Sequence, residues 1–522
     1  QKTKTLGIRA NADTPEGAVL ARKFGAQGIG LCRTERMFNG SDRINLFVEM
    51  IMAENIEERN KILKKLGQLQ KSDFIQILKA MERYEVTIRL LDPPLHEFLP
   101  NPEELVEKIQ KLKASGNTSE VVKSETILKR ARELVEINPM MGHRGVRVGI
   151  TYPEIYEMQI RAVFEALVEL TKKKVKAYPQ IMIPQISSIA ELNHIKKIYD
   201  IIKKETETKH KMKLKINFGT MIEVVRAALT AHELAKTAEF FSFGTNDLTQ
   251  GTFSFSREDV EGKFLPNPEE LVEKIQKLES AGKTNEIKDA KIVLKRAREL
   301  AEVNPMMGHR GVRVGITYPE IYEMQIRAVF EALVELTKKK VKAHPQIMIP
   351  QISSIAELNH IKEIYDRIKK EVETKNKMKL KINFGTMIEV VRAALTANEL
   401  ATTAEFFSFG TNDLTQGTFS FSREDVEGKF LPEYMEKELL ERNPFQSIDV
   451  NGVGNLINIG LTAGRKIRKN MEVGICGEHG GDPSSIKFCH KTGLSYVSAS
   501  PHRIPIAIVA AAQAAIENPK RK

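Results

Sequence analysis

Two arginines lie at the ends of short apolar segments early in the chain. Arg33 follows GIGLC, and Arg89 lies within VTIRLLD. A guanidinium beside an apolar strand is costly unless it pairs with a carboxylate or meets an anionic ligand. One interpretation is a salt bridge from Arg33 to Glu35 and from Arg89 to Asp92. Two such arginines on neighbouring strands favour the other interpretation, a clamp for a phosphate or carboxylate group.

Two carboxylates follow later apolar segments, and both occur twice in the chain. Glu223 ends INFGTMIE and Asp247 ends FFSFGTND, and the same segments end again at Glu389 and Asp413. Carboxylates at successive strand ends suit a hard cation such as Mg²⁺, which completes its coordination with water and substrate oxygens. The alternative is that each carboxylate caps the helix that follows it.

A cysteine lies in a glycine-rich setting near the end of the chain. Cys476 ends the apolar segment EVGIC and precedes GEHGGDP, which leaves its thiol open to a ligand. Such a thiol can act as a nucleophile or a proton donor, although a lone cysteine is more often a small core residue. His479 is a candidate proton relay or a loop residue. The other cysteines, Cys32 and Cys489, form no CxxC pair, which argues against a disulfide framework and a structural zinc site.

These polar residues follow strand-like segments that alternate with helical patterns. Alternating βα units imply parallel strands, hence an α/β fold with either a (β/α) barrel or a doubly wound sheet. A (β/α) barrel builds its active site at the carboxyl ends of its strands, where the candidate residues fall. The twelve predicted strands cover 6–10, 28–33, 86–92, 145–151, 180–186, 214–220, 240–245, 311–317, 346–352, 380–386, 406–411 and 472–477.

A long internal repeat fills the middle of the chain. Residues 101–266 are followed by a near-identical block at 267–432, so that INFGTMIEVVRAALTA, for example, occurs in both. Each block is far longer than the ~20–50-residue units of solenoid proteins. We interpret it as a duplicated half-domain of four βα units. So little divergence points to a recent duplication or to deliberate construction, and we favour construction.

The repeat predicts an enlarged barrel. Three predicted strands lie in 1–100, four in each copy and one in 433–522, so one copy would give eight strands and both give twelve. We predict a single domain over 1–522, a TIM-type barrel of about twelve strands, with a helical hairpin at 101–136. An eight-stranded barrel with one copy extruded and a domain-swapped homo-oligomer are the alternatives. Because barrel diameter grows with strand number, enlargement would separate the groups that occur once.

The composition is that of an ordinary globular protein. Hydrophobic residues make up 41% and charged residues 28% of the chain. No apolar run approaches the ~18 residues of a membrane span, and QKTKTLGIRANAD lacks the apolar core of a signal peptide, so we expect a cytoplasmic protein. The net charge of +12 is spread over Lys- and Glu-rich helical segments with few aromatics. This pattern favours solvated helix faces over nucleic-acid binding.

Taken together and in order, the motifs resemble one family. They include GAQGIGLCRTERMF at 25–38, RLLDPPLHEFLP at 89–100, NPMMGHRGVRVGI, GTMIE, FFSFGTNDLTQ, FSRED and CGEHGGDPSSIKFC at 476–489. The chain is similar to the C-terminal phosphoenolpyruvate/pyruvate-binding domain of the pyruvate phosphate dikinase family over 10–507. The resemblance implies a TIM barrel that interconverts pyruvate and phosphoenolpyruvate, with the phosphoryl group carried by a histidine of a separate mobile domain.

The resemblance also implies roles for the basic residues and the thiol. Arg33 and Arg89 would hold the phosphoryl group of the substrate, and Arg257 or Arg423, from the two FSRED segments, would join them. Cys476 would move the proton at C3, converting the methyl group of pyruvate to an enolate and back.

Two further sets of residues follow from the same resemblance. The metal would stabilise the enolate as a Lewis acid. The implied Mg²⁺ ligands are Glu223 with Asp247, or Glu389 with Asp413. The implied contacts to the substrate are Asn246 or Asn412.

Departures from the family pattern limit the expected activity. The ATP-grasp and phosphohistidine domains are absent from the sequence, so the full dikinase reaction is not expected. We expect at most the Mg²⁺-dependent enolisation and phosphoryl-transfer half-reaction, or, as the alternative, an inactive and engineered enlarged barrel. Two substitutions in each copy also bear on the strand ends. They are Val225 and Val391 for the usual proline, and Gln185 and Gln351 for the usual aliphatic residue.

Overall fold

A computed structural model of the chain describes residues 7–38, 41–53, 55–100, 102–114, 117–136, 138–256 and 304–518. The described residues group into two compact units. The first unit draws on 1–245 and 424–441, and the second on 246–423 and 442–522. These boundaries do not follow those of the repeat, because a segment of the second copy belongs to the first unit. The single barrel domain over 1–522 stays a prediction.

The first unit contains a six-stranded parallel sheet whose strands lie in chain order. Every neighbouring pair is parallel, as the alternation of strands and helices predicts. The strands are β1 (Ala10–Asn11), β2 (Ile29–Arg33), β3 (Glu85–Arg89), β4 (Tyr178–Ile183), β5 (Asn217–Ile222) and β6 (Phe241–Phe243).

The second unit contains a five-stranded parallel sheet, again in chain order. Its last strand is only two residues long, too short for the sequence pattern to reveal. The strands are β7 (Gln346–Ile349), β8 (Asn383–Ile388), β9 (Phe406–Gly410), β10 (Glu472–Cys476) and β11 (Tyr496–Val497).

Helices connect the strands in both units. Up to the end of the first copy they are α1 (Pro15–Lys23), α2 (Ser41–Met52), α3 (Ile56–Ala80), α4 (Pro102–Ala114), α5 (Thr118–Leu134), α6 (Val146–Thr151), α7 (Pro153–Lys172), α8 (Ile189–His210), α9 (Val225–Leu229), α10 (Ala231–Leu234) and α11 (Thr245–Phe253). In the rest of the described chain they are α12 (Val312–Thr317), α13 (Pro319–Lys338), α14 (Ile355–Asn376), α15 (Val391–Leu395), α16 (Ala397–Leu400), α17 (Thr411–Phe419), α18 (Arg423–Val426), α19 (Leu431–Glu436), α20 (Val453–Ile467), α21 (Pro483–Thr492) and α22 (Ile504–Glu517).

Two of the twelve predicted strands are wrong. GVRVGIT forms a short helix in both copies, α6 and α12. The residue before each helix, Gly145 or Gly311, has a positive φ of 58° or 59° that turns the chain into it. The prediction failed because this run is short and rich in β-branched residues, and such a run does not distinguish a strand from a short helix by its period.

The described residues therefore hold eleven strands in two sheets, and a closed barrel of twelve strands is not among them. One copy of the repeat contributes three strands, β4–β6 or β7–β9. Together with β1–β3 and with β10 and β11, a single copy would complete eight, the number of a TIM barrel. One copy therefore still gives a count of eight strands. Three of them come from the copy, where four were predicted, and two follow it, where one was predicted.

Local sequence signals account for the long helices. Ser188 and Glu191 form a capping box at the start of α8, and Ser354 and Glu357 form the same box at the start of α14. The predicted helical hairpin at 101–136 is confirmed as the packed pair α4 and α5. Among the described helices, none has the length and apolar character needed to cross a membrane.

Candidate functional site

The two arginines of the predicted clamp lie side by side in the first unit. Arg33 ends β2 and Arg89 ends β3, and the two residues are direct partners in the parallel register. Both side chains therefore leave the sheet at the same carboxyl edge, as the sequence predicts.

Both arginines are already engaged by carboxylates. Arg33 donates from Nε and Nη2 to Asp13, with distances of 3.1 and 2.7 Å to Oδ2. Arg89 donates to Glu35 at 2.6 Å and pairs with Asp92 at 2.8 Å. The expected Arg89–Asp92 salt bridge is confirmed, whereas the expected partner of Arg33 is wrong, because Glu35 turns to Arg89 instead.

Asp92 is the centre of this charge network. It also accepts from Arg144 Nη2 at 2.5 Å. Burial alone would raise the pKa of Asp92, but Arg144 and Arg89 outweigh burial and the pKa is lowered. For Glu35 burial dominates, and its pKa is raised despite Arg89. Sequence reasoning missed Asp13 and Arg144, although the motifs ANADTPEGA and GHRGV that contain them were visible signals.

Glu223 lies in the first unit at the end of β5. It is 2% exposed and accepts a hydrogen bond from the backbone N–H of Gln185 at 2.8 Å. Glu223 also raises the pKa of Arg89, acting with Asp92 and Glu35 against the lowering effect of burial. Its predicted metal partner Asp247 and the neighbouring Asn246 lie at the start of α11, in the second unit. The first metal pair is therefore divided between the units.

The second metal pair lies within one unit. Glu389 follows β8 and accepts from the backbone N–H of Gln351 at 2.7 Å, while the side chain of Gln351 donates to Asp413 at 2.7 Å. Arg310 also pairs with Asp413, at 3.1 Å. Burial, and then repulsion from Asp413, raises the pKa of Glu389 to about 7. The glutamine that departs from the family pattern thus bridges the two carboxylates.

This pair fits a cation in charge, although not as a complete protein cage. Two carboxylates that repel each other leave a local excess of negative charge that Mg²⁺ would neutralise. Within the described part of the chain, no group of three or more His, Cys, Asp or Glu side chains is arranged to hold a metal. Water and substrate oxygens would have to supply the other positions, which is the usual arrangement for Mg²⁺.

Cys476 ends β10 in the same unit. Its Sγ lies 3.6 Å from the carbonyl oxygen of Phe409, on the adjacent strand β9. The thiol is partly exposed, and burial raises its pKa, with Glu389 and Asp413 adding to the effect. The side chain is therefore a protonated thiol at neutral pH, suited to donate a proton.

The end of β10 and the loop after it are tied to the start of α17, which follows the adjacent strand β9. The hydroxyl of Thr411 donates to the carbonyl of Cys476 at 2.9 Å. Gly477 has φ 106°, and a Cβ there would lie 2.9 Å from the Thr411 hydroxyl, so only glycine fits. His479 is fully buried between Thr411 and the carbonyl of Pro444, to which its Nε2 donates. Through these contacts His479 stabilises the conformation of the loop.

A cavity opens beside these residues. It has a volume of about 880 Å³. Among the described residues, Asn412 Oδ1 is a buried oxygen without a hydrogen-bond partner, and Asn412 lines this cavity. Arg503 also lines it and was not predicted as a site residue. The cavity therefore offers a ligand both an amide and a guanidinium.

Of the two FSRED arginines, Arg423 lies within the described residues. Arg423 forms a bidentate pair with Glu478, at 2.8 and 2.9 Å, and lies over the ring of Phe445. Arg257 lies outside the described residues. The second unit thus contains Arg423 together with Glu389, Asp413, Asn412 and Cys476, whereas Arg33, Arg89 and Glu223 lie in the first.

Comparison with known proteins identifies the family. The PEP-binding domain of PEP-utilising enzymes matches residues 1–285 and again 281–516. The chain belongs to this family. Because the second match begins inside the second copy, each copy of the repeat contributes to its own match.

Curated relatives align with nearly the whole chain. Pyruvate, phosphate dikinase of Entamoeba histolytica is 37% identical over 517 residues, 99% of this chain and 40% of the relative. Pyruvate, phosphate dikinase of Clostridium symbiosum is 35% identical over 517 residues, 99% of this chain and 39% of the relative. Pyruvate, phosphate dikinase 2 of Zea mays is 36% identical over 511 residues, 98% of this chain and 38% of the relative. The chain thus spans about two fifths of their length.

Proposed function

We propose that this chain is a transferase-type module that binds phosphoenolpyruvate or pyruvate with Mg²⁺ and carries out the enolisation step of a pyruvate phosphate dikinase. The observation that carries the proposal is the grouping of Glu389, Asp413, Asn412 and Cys476 at the strand ends of one unit. The family match and the dikinase relatives support the choice of substrate. A cytoplasmic setting belongs to the same proposal.

The residues of the second unit divide the chemistry between them. Asn412, with its unpaired buried oxygen, and Arg503 orient the substrate in the cavity. Cys476, protonated because burial raises its pKa, gives its proton to C3 of the enolate to form the methyl group of pyruvate, and the resulting thiolate takes a proton back in the reverse direction. Mg²⁺ held by Glu389 and Asp413 would supply positive charge beside the enolate oxygen.

The phosphoryl group needs residues and a partner beyond this grouping. Arg33 and Arg89 of the first unit remain the phosphoryl-binding pair that the resemblance implies, and Asp13, Glu35 and Asp92 would have to give up part of their contact with these arginines. The acceptor would be a histidine of a separate phosphohistidine domain. We propose that Glu223, Asp247, Asn246 and Arg257 of the first copy are the duplicate set of Glu389, Asp413, Asn412 and Arg423.

Exchange of the methyl protons of pyruvate for deuterium, followed by NMR with Mg²⁺ in D₂O, tests the proposal. It needs neither the phosphoryl donor nor the arginine clamp. We expect exchange that is lost in Cys476→Ala and kept in Cys489→Ala, whose thiol is buried in α21 away from the cavity. Absence of exchange above the solvent background, from protein shown to be folded, would contradict the proposal.

The second candidate function is an inactive enlarged barrel, built by constructed duplication. The observation that favours it is that Arg33 and Arg89 are occupied by three carboxylates of their own unit. Thermal unfolding with and without phosphoenolpyruvate separates the candidates, because a ligand at ~100 times its Kd stabilises the fold by about 2.7 kcal/mol. A scaffold with an inert site would show no ligand-dependent rise in Tm.

A further inference from the structure

Gln351 contacts both carboxylates of the second metal pair. It follows β7, its backbone N–H donates to Glu389 at 2.7 Å, and its side-chain Nε2 donates to Asp413 Oδ2 at 2.7 Å. Gln351 is 1% exposed, and the other arm of its amide, Oε1, is buried without a hydrogen-bond partner among the described residues. A buried carbonyl oxygen without a partner is unfavourable, and a ligand that met it would remove that cost. The amide is therefore suited to a positively charged ligand at the two carboxylates.

The fold fixes Gln351 in this place. Its φ of 57° lies in the left-handed region, which residues other than glycine seldom adopt. Gly311 permits the close approach, because a Cβ on Gly311 would lie 2.7 Å from the Cβ of Gln351. The carbonyl of Pro350 accepts a hydrogen bond from the N–H of Val312 at 3.2 Å, which ties the preceding residue to α12. The amide is thus held beside the carboxylates by backbone contacts as well as by its own hydrogen bonds.

The amide can present its oxygen to the pair in place of its nitrogen. The two arms of a glutamine amide are nearly equal in shape, and a half-turn about the Cγ–Cδ bond exchanges them. Oxygen ligands in neighbouring positions around Mg²⁺ or Ca²⁺ lie about 3 Å apart, given metal–oxygen distances of about 2.0–2.6 Å. The 2.7 Å between Gln351 Nε2 and Asp413 Oδ2 is close to that spacing. After the half-turn, the Gln351 oxygen and the Asp413 carboxylate can therefore share one cation.

Without a cation, the amide N–H group serves Asp413 instead. Asp413 accepts from Gln351 and pairs with Arg310 at 3.1 Å, and both contacts offset the repulsion between Asp413 and Glu389. A cation offsets the same repulsion more strongly and gives Gln351 Oε1 the partner that it lacks. Cation binding and the half-turn of the amide therefore favour each other.

We propose that the amide oxygen of Gln351 is a third protein ligand of the cation at Glu389 and Asp413 and raises the preference of this site for Ca²⁺ over Mg²⁺. The inference rests on the proposed function and adds a determinant of cation choice to it. Ca²⁺ takes about six to eight oxygen ligands, amide carbonyls among them, whereas Mg²⁺ keeps several waters and is held through one or two carboxylates. A third protein oxygen therefore strengthens the binding of Ca²⁺ more than that of Mg²⁺. The aliphatic residue usual in the family offers no such oxygen.

Thermal unfolding of the full chain, titrated with CaCl₂ or MgCl₂ at about pH 8 and constant ionic strength, gives an apparent Kd for each cation. Gln351→Met removes both arms of the amide with little change in length. We expect the Ca²⁺ affinity to fall by about 10-fold or more and the Mg²⁺ affinity to fall less. Equal losses for the two cations would show that Gln351 only positions Asp413, and would overturn the proposal.

Gln346→Met is the matched control. Gln346 is exposed at the start of the same strand, and its amide also donates to a carboxylate, that of Glu472, at 3.0 Å. Its replacement should leave both cation affinities unchanged, because it lies at the other end of β7 from Gln351. A loss of Ca²⁺ affinity as large as that of Gln351→Met would contradict a specific role for Gln351.

Gln351→Glu separates the oxygen of the amide from its N–H group. Glutamate keeps an oxygen at the same reach but has no N–H group to donate to Asp413. We expect its Ca²⁺ affinity to equal or exceed that of wild type, in contrast to Gln351→Met. A loss of Ca²⁺ affinity in both variants, from protein shown by circular dichroism to be folded, would assign the effect to the N–H group and overturn the proposal.

Glu389→Gln distinguishes failure of this inference from failure of the proposed function. It should remove the rise in Tm that either cation produces, and a Ca²⁺ response that persists in Glu389→Gln would place the cation elsewhere and overturn the inference. A wild type without any Ca²⁺ response would do the same. The titrations need no pyruvate. Ca²⁺ binding that depends on Gln351, without exchange of the methyl protons of pyruvate, would therefore support the inference and contradict the enolisation step alone.

Discussion

The two copies of the repeat differ most where their neighbours differ. α7 and α13 have the same sequence, PEIYEMQIRAVFEALVELTK, yet twelve residues are buried in α7 and four in α13. Ile155 is 1% exposed and its counterpart Ile321 39%. The cause is α3, which packs on α7 so closely that a Cβ on Gly67 would lie 3.0 Å from the Met158 side chain. No counterpart of α3 precedes the second copy in the sequence, because residues 1–100 are not repeated.

Among the strands, the first copy is the more exposed of the two. Both copies contain FFSFG, but Phe243 in β6 is 63% exposed and Phe409 in β9 is fully buried. β9 lies between β8 and β10, and α20 packs against the Phe409 ring through Gly460. β6 pairs with β5 alone among the described strands. Identical sequences thus reach different burial, because burial depends on elements that only one copy has beside it.

Truncation of the two phenylalanines gives the largest expected effect and tests whether their burial differs in solution. Phe409→Ala should lower the free energy of unfolding by about 3–5 kcal/mol, because it removes a fully buried ring. Phe243→Ala should change it by less than about 0.5 kcal/mol, because the ring is mostly exposed. Urea unfolding followed by circular dichroism measures both. Equal losses would show that β6 and β9 have equivalent surroundings in solution.

The pH dependence of Glu389 gives the next largest effect. Its folded-state pKa of about 7 lies above the ordinary value of 4.5. The fold therefore binds the proton more tightly than the unfolded chain does. The resulting stabilisation is complete below about pH 4.5 and is lost as the pH rises to about 7.

Glu389→Gln should abolish this dependence. The shift corresponds to on the order of 3 kcal/mol. The variant should gain most of that relative to wild type at pH 8, and little at pH 4.5, because glutamine stays neutral. Thermal unfolding across that pH range tests it, with Glu399→Gln at an exposed position as the control. A variant that tracks wild type at every pH would show that burial and Asp413 do not raise the pKa of Glu389.

Sequence reasoning found the strand ends and their polar residues because each rests on a local pattern. Short β-branched runs followed by Arg, Glu, Asp or Cys located Arg33, Arg89, Glu389 and Cys476 at carboxyl ends of strands. The misassigned GVRVGIT segments show the limit of such patterns, because a short run of β-branched residues does not reveal whether its period is that of a strand or of a helix. The two-residue β11 gives no periodic signal at all.

What sequence could not supply was the choice among chemically equivalent partners. Arg33 had Glu35 near it in sequence but pairs with Asp13, because β1 and β2 are neighbours and bring Asp13 to the end of β2. The division of the site residues between two units also has no local signal, since both copies contain the same carboxylates. The non-repeated neighbours distinguish the copies at these positions, and they act through tertiary contacts.

The smallest and most specific effect comes from Arg144 and its counterpart Arg310. Arg144 pairs with the buried Asp92, whereas Arg310 pairs with Asp413. Arg144→Ala leaves Asp92 with Arg89 as its remaining strong partner and should cost about 1.5–3 kcal/mol. Arg310 is 41% exposed, so Arg310→Ala should cost only about 0–1 kcal/mol.

The same pair of variants separates stability from the metal site. Arg310→Ala removes a positive charge that competes with a cation for Asp413, so Mg²⁺ should raise its Tm more than that of wild type. Arg144→Ala leaves Glu389 and Asp413 unchanged and should respond to Mg²⁺ as wild type does. Differential scanning fluorimetry with a Mg²⁺ titration reads both. If Mg²⁺ instead affected the two variants alike, the Glu389–Asp413 pair would not be the site at which the cation acts.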